Sequence, residues 1–252
     1  MKKITSLAFI FLFCSAFMAC TKNVDVSHAS ASTEKLLTAK TVSGTVTDSR
    51  GNPLAGVQIT IEHTVWQGTY VHAVTNSKGK YKITIPVNPA GSWTAKAKLT
   101  KKAYGQTYIF DMDGNKKPFT QSASVTRNFT WKLSGQKPGT NTYYGAHVYL
   151  YQFGTDATMT NVKVVFTPML DTLIDGSQAV SFERQVEDVA GTFMAKDVPI
   201  GKYMIKAKYP GKTLYLDNRH NSGNPKVRKQ VIFGKYGFLA ETEYNIEFWL
   251  SE

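Results

Sequence analysis

Apolar side chains recur at every second position through short stretches of this chain, and that period constrains the fold more than any other feature. Val57, Ile59 and Ile61 fall on one face of an extended segment, and Tyr81, Ile83 and Ile85 on one face of another. Side chains of a strand point alternately to its two faces, so such a segment buries one row and offers the other to solvent. The alternation begins at Val42-Ser43-Gly44-Thr45-Val46-Thr47 and returns in Trp93-Thr94-Ala95-Lys96-Ala97-Lys98-Leu99. Between these runs stand Asp48-Ser49-Arg50-Gly51-Asn52-Pro53 and Asn76-Ser77-Lys78-Gly79, whose side chains and backbone freedom favour turns. Thr, Val, Tyr, Phe and Gly dominate, with little Ala or Leu at helical spacing. The chain is therefore expected to be all-β, a stack of antiparallel sandwiches.

The N-terminus obeys a different rule. Met1-Lys2-Lys3 precedes an apolar run from Ile4 to Met18, followed by Ala19-Cys20. A membrane span needs about 20 apolar residues, so this shorter run behind two lysines has the parts of a secretory signal. It resembles a bacterial lipoprotein signal. That resemblance implies removal of residues 1–19 and acylation of Cys20, palmitate among the chains, and Thr21 in place of a retaining aspartate implies the outer membrane. Each buried CH₂ adds about 0.8 kcal/mol, so several chains on one residue anchor the protein without crossing the bilayer. Cys14 leaves with the signal, and no disulfide remains to staple the fold. Residues 20–38, with small polar side chains and no alternation, read as the lipidated cysteine and a flexible tether.

The first half carries a second resemblance. Val42-Ser43-Gly44-Thr45-Val46, then Gly51-Asn52-Pro53-Leu54-Ala55-Gly56-Val57, Thr75-Asn76 and Gly79-Lys80-Tyr81 are similar to the carboxypeptidase regulatory-like domain. The similarity runs from Val42 to about Ala97. It implies a transthyretin-like (Ig-like) β-sandwich of the kind frequent in Bacteroidetes surface proteins, with Gly51 and Gly79 closing hairpins. No catalytic residue is implied.

The second half repeats the first. Gly79-Lys80-Tyr81-Lys82-Ile83 has a counterpart in Gly191-Thr192-Phe193-Met194-Ala195, and Trp93 to Lys98 in Tyr203 to Lys208. Asn161-Val162-Lys163-Val164-Val165-Phe166 stands where Gly56-Val57-Gln58-Ile59 stood, and Asn128 to Ser134 matches Asn245 to Ser251. Two tandem sandwiches account for this spacing, at residues 39–134 and, more divergent, 143–252, joined by a linker at 135–142.

Charge divides unequally. Thr21–Lys137 holds 16 Lys and Arg against 6 Asp and Glu, and Pro138–Glu252 holds 12 against 12. Lys96, Lys98, Lys101 and Lys102 form the densest basic group, with Lys116 and Lys117 nearby. They suit a solvated strand edge kept from pairing by lysines before they suit the other reading, an acidic envelope component such as a glycan or a protein partner. No nucleic-acid motif accompanies them, and no nucleic-acid partner is expected.

Groups that carry chemistry are sparse. His28, His63, His72, His147 and His220 have no metal-ligand spacing, although His63 and His72 could face each other across a hairpin bent at Gln67-Gly68. Asp111, Asp113 and Asn115 offer closely spaced oxygens, as a calcium loop or ordinary turn chemistry would. Hydroxyisourate hydrolases and intradiol dioxygenases share the general shape, but their His and Arg or Tyr and His constellations do not stand out here. The expectation is a non-enzymatic surface lipoprotein without cofactor or metal, acting as a binding or structural module. A carbohydrate-binding module serving glycan capture or uptake is the alternative. Trp66, Tyr70, Tyr104 and Tyr108 lie near expected loops and Tyr143, Tyr144, Tyr149 and Tyr151 open the second half as candidate sugar-stacking rings, Trp66 and Tyr70 foremost for ligand contact, while Tyr81, Trp93, Phe129, Trp131, Phe193, Tyr203 and Phe248 are expected in the core.

Overall fold

The computed structural model describes residues 40–86, 90–120, 124–236 and 240–252. The signal, Cys20 and the tether lie outside the described residues. The described residues fall within one compact unit.

The protein is all-β, as the alternation predicts; among the described residues the only helical element is the single 3₁₀ turn Met159–Asn161. No helix there is long and apolar enough to cross a membrane. Nine strands come from the first half: β1 (Lys40–Thr47), β2 (Gln58–His63), β3 (Tyr70–Val74), β4 (Lys80–Ile85), β5 (Trp93–Ala103), β6 (Gln106–Asp111), β7 (Asp113–Gly114), β8 (Val125–Thr126) and β9 (Phe129–Thr130). They form two sheets, β4-β1-β9-β7 with β8 also on β1, and β3-β2-β5-β6. The second half supplies β10 (Ala146–Gln152), β11 (Lys163–Pro168), β12 (Phe182–Gln185), β13 (Glu187–Val189), β14 (Thr192–Val198), β15 (Lys202–Lys208), β16 (Tyr215–Asn218), β17 (Lys229–Ile232) and β18 (Asn245–Ser251). Its sheets are β13-β14-β10-β18-β16 and β12-β11-β15-β17.

The repeat seen in sequence is a repeat of topology. In each half the first strand pairs antiparallel with a middle strand and parallel with the last, β1 with β4 and β9, β10 with β14 and β18. In the facing sheets β2 lies between β3 and β5, as β11 lies between β12 and β15. Gly44 is required where β1 passes the chain leading into β9. A Cβ there would stand 1.8 Å from the Arg127 carbonyl oxygen. Gly79 turns at a φ of +67°, a region that glycine enters without strain.

Val42, Ile59, Ile61, Ile85, Trp93, Tyr108 and Phe129 fill the first sandwich, and Val148, Val164, Phe166, Tyr203, Phe233 and Phe248 the second. Fully burying one such side chain stabilises by about 1.5–3 kcal/mol. Of the seven aromatic residues expected in the core, six are buried and Phe193 is partly so.

The halves meet along a hydrogen-bonded seam. Strand β6 is the edge of its sheet, and a bare edge invites pairing with another chain. Here the buried Tyr244 hydroxyl accepts the Ile109 N–H at 2.6 Å and donates to the Ile109 carbonyl at 3.2 Å. Tyr108 donates its hydroxyl to the Phe233 carbonyl at 3.0 Å, and the Arg50 guanidinium reaches the carbonyls of Asp175 and Gly176 at 2.8 and 2.9 Å. Residues 135–142, linker-like in composition, are part of this seam. The buried Lys137 donates to the Asp111 carboxylate at 3.2 Å, and the Gly135 N–H donates to Asp197 at 2.9 Å.

Candidate functional site

Two sheet faces present side chains to solvent in an ordered array. The first is the outer face of β3-β2-β5-β6. Its register aligns three rows centred on β2: Tyr70, Glu62 and Thr94; His72, Thr60 and Lys96; and Val74, Gln58 and Lys98. Tyr70 and Val74 are more than half exposed. The Tyr70 and His72 rings lie 4.8 Å apart, and His72 Nδ1 is 3.0 Å from the Thr60 hydroxyl.

This face brings together only part of the set that sequence proposed. Tyr70, Lys96, Lys98 and Lys102 share it, whereas Lys101, of opposite parity on β5, turns to the other side with its ammonium 5.6 Å from the Trp131 ring centroid. Lys96 donates to Glu62 at 2.6 Å and Lys98 to Glu241 at 2.5 Å. Such exposed pairs stabilise little, about 0–1 kcal/mol, but they neutralise two of the four lysines. Trp66 stands in the β2–β3 turn, half exposed and stacked 5.1 Å from His63. His63 and His72 do not face each other, because β2 places His72 opposite Thr60 while His63 is buried against Trp93. The bend itself falls at Gln67-Gly68 as expected, where Gly68 has a φ of +76°.

The oxygens considered for calcium are committed elsewhere. Asp111 accepts from Lys137 and Thr242, and Asp113 pairs with Lys132 at 2.5 Å and accepts the Tyr144 hydroxyl at 2.9 Å. Burial works against both carboxylates, but the Thr242 and Lys137 contacts outweigh it at Asp111 and those of Lys132 and Tyr144 at Asp113, so each pKa is lowered. The Asn115 side chain closes its own turn on the Lys117 N–H at 3.0 Å. Among the described residues no cluster of three or more His, Cys, Asp or Glu is placed to hold a metal.

The second face, outside β13-β14-β10-β18-β16, is unlike an ordinary solvated sheet surface. Strand β10 sends Val148 and Leu150 inward and His147, Tyr149 and Tyr151 outward. Parallel pairing with β18 sets Tyr149 beside Glu247 and Tyr151 beside Trp249. The Tyr151 and Trp249 rings are 5.5 Å apart, and Phe153, 66% exposed, lies 5.8 Å beyond Trp249. Arg219 covers part of the row, 4.2 Å from the Tyr151 centroid and 5.1 Å from that of Trp249, its charge met by the buried Glu247 at 2.9 Å.

At the other end the row opens into a groove of about 410 Å³. The turn joining the two halves makes one wall: Lys137 N–H donates to the Thr142 carbonyl and Gln136 bridges to Tyr143, so Gln136, Asn141, Thr142 and Tyr143 line it. His147, Tyr149, Val189, Met194, Lys196, Glu243 and Tyr244 complete it. The His147 ring lies 6.1 Å from Tyr143 and 6.2 Å from Tyr149. Burial lowers the His147 pKa, so the ring is neutral at pH 7. Its Nδ1 is buried and has no hydrogen-bond partner among the described residues. Lys196 pairs with Glu187 at 2.8 Å and lies 5.3 Å over the Tyr143 ring. Sequence reading did not group His147, Lys196 and Glu243 with the tyrosines here, because distant strand pairings bring them together, and Tyr108, near an expected loop, is instead fully buried.

Fold and faces define a class: an all-β protein of two sandwiches, each presenting an outer sheet face. Residues 41–111 match the family model of the carboxypeptidase regulatory-like domain, as the resemblance of Val42 to Ala97 implied. Comparison with curated proteins found no significant match. Among solved structures, the TIE protein of Bacillus anthracis is similar over 84% of this chain and 34% of its own, at 17% identity and a TM-score of 0.30. The major pilin protein from Streptococcus pyogenes is similar over 84% and 96%, at 10% identity and a TM-score of 0.27. A protein of Bacteroides thetaiotaomicron, proposed to bind polysaccharide, is similar over 69% and 78%, at 9% identity and a TM-score of 0.26. The chain thus spans about a third of the length of the first of these. At these scores the likenesses bear on neither ligand nor role.

Proposed function

We propose that this chain is a non-enzymatic binding module of the cell envelope, tethered through lipidated Cys20 to the outer membrane, and that it captures glycans on the outer face of its second sandwich. The observation that carries this reading is the row His147, Tyr149, Tyr151, Trp249 and Phe153, which puts large rings on a face that antiparallel sheets ordinarily leave polar. Flat rings offer apolar surface to the C–H faces of sugars, and the amides and charges beside them can fix hydroxyl groups. The alternative of an acidic partner is weakened by the two lysines already paired on the first face.

The full chain, solubilised in detergent, should retain glycans on an array, and Tyr151→Ala with Phe153→Ala should reduce that retention at least about tenfold, a loss of about 1.4 kcal/mol. Retention of no glycan, or equal retention by the double variant, overturns the assignment.

A further inference from the structure

The groove at the head of the aromatic row has a charge balance that selects among ligands, and reading it rests on the binding role proposed above. Its cation is spoken for: Lys196 pairs with Glu187 and covers one face of Tyr143. The neighbouring Lys137 and Arg219 are bound to Asp111 and Glu247. Glu243 makes no ion pair among the described residues, and its charge acts on both His147 and Tyr149. Of the Lys, Arg, Asp and Glu side chains lining the groove, Glu243 alone has no ion-pair partner among the described residues.

That arrangement disfavours three of four ligand types. An anion meets Glu243 with no free cation among the lining residues to offset it, Lys235 standing 5.8 Å from the Tyr244 ring and outside the lining, and like charges brought together across an interface are strongly unfavourable. An ammonium group would want the ring faces as a cage, but the chain's own Lys196 already sits over Tyr143. A wholly apolar ligand would cover the Asn141 amide and the Glu243 carboxylate without offering either a partner, while Gln136 and Thr142 are already bonded to Thr140. What remains is a neutral molecule with a flat apolar side and several hydroxyl donors. The free carboxylate accepts hydroxyl hydrogens, the Gln136 and Asn141 amides donate and accept, and the Tyr149 ring takes the apolar side. The volume, about 410 Å³, lies within the range of about 300–1,000 Å³ typical of small-molecule sites.

We infer that this groove is a subsite for a neutral pyranose ring, with Glu243 as the residue that rejects acidic sugars. The test titrates the detergent-solubilised full chain at low salt with methyl glucoside, methyl galactoside, methyl mannoside and glucuronate, by calorimetry or saturation-transfer NMR. At least one neutral glycoside should bind, with glucuronate about tenfold weaker or more. Glu243→Gln, nearly isosteric, should bring glucuronate to within about threefold of the neutral sugar by removing the repulsion. Tyr149→Ala should abolish measurable binding, and Tyr149→Phe, which keeps the ring, should retain it. Glucuronate bound as well as the neutral sugars, or neutral binding indifferent to both Tyr149→Ala and Glu243→Gln, overturns the subsite. If array retention is then still lost in the Tyr151 and Phe153 variant, the binding role survives and only the groove assignment fails. If neither arm detects sugar, both fall.

Discussion

Removing one hydroxyl from the seam should weaken the whole body rather than one sandwich. Tyr244 is buried, 4% exposed, with its ring 5.0 Å from that of Tyr108 and 6.3 Å from that of Phe110. Its hydroxyl holds both backbone groups of Ile109 on the edge of β6. Tyr244→Phe keeps the ring and leaves those groups unpaired beneath the second sandwich, a cost of about 1–3 kcal/mol. Tyr244→Ala also deletes the ring and should cost about 3–5 kcal/mol. With a urea slope near 3 kcal/mol per molar, the upper end for small proteins, the Phe variant should unfold about 0.3–1 M earlier. The assay is urea unfolding of the chain from Thr21 onward, followed by tryptophan fluorescence and by circular dichroism. Trp93 and Trp131 report from the first half and Trp249 from the second. A single transition, shifted as a whole in Tyr244→Phe, is expected. Two transitions in the parent, with both midpoints unmoved by Tyr244→Phe, would refute the claim that the seam joins the halves energetically.

Four further outcomes follow. Gly44→Ala should cost more than about 3 kcal/mol, since backbone at 1.8 Å cannot give way as a side chain can; a melting temperature within a degree or two of the parent would contradict this. His147 has its pKa lowered by burial from the ordinary value of 6.5. Below that pH the unfolded chain binds a proton that the folded chain resists, so stability should fall as pH drops from 6.5 toward the folded pKa, and His147→Gln should flatten that part of the curve. Asp48 acts lower on the scale: burial would raise its pKa, but hydrogen bonds from Asn52 and Arg50 outweigh it and hold the carboxyl at about 2. Its contribution is full above 3.8 and fades as pH falls toward 2, a slope that Asp48→Asn should remove. Cys20→Ser should abolish lipid labelling and release the protein from membranes, and continued membrane association would exclude lipidation at that cysteine.

Strand content and the internal repeat were legible because both rest on local rules, whereas the order of strands in each sheet depends on distant pairings. Alternation marks a strand whatever it packs against, and the Gly79 and Asn76 turn chemistry marks where it ends. The four correspondences between the halves match strand for strand, including the parallel return of β9 and β18. The split of the lysines was legible too, by the same rule: Lys96, Lys98 and Lys102 have one parity on an unbroken strand and Lys101 the other, so sequence proximity was the wrong measure of grouping. At residues 135–142 Pro and Gly signal a turn without telling whether it hangs free or packs. Lys137 is buried there only because Asp111, on a distant strand, meets it.

The groove shows the limit most clearly. Its walls come from the turn before β10, from β10 and β14, and from the approach to β18, segments joined only when β10 takes its place between β14 and β18. One signal toward it was present, since His147, Tyr149 and Tyr151 alternate with Val148 and Leu150, making both faces of β10 bulky. A strand with large residues on both faces either lies between two layers or holds an outer face that something must cover. Here Arg219 covers one end of that face, while the end beside Glu243 opens into the groove. A ligand is therefore most needed, and most easily admitted, at the open end, which also holds the charge that discriminates between sugars.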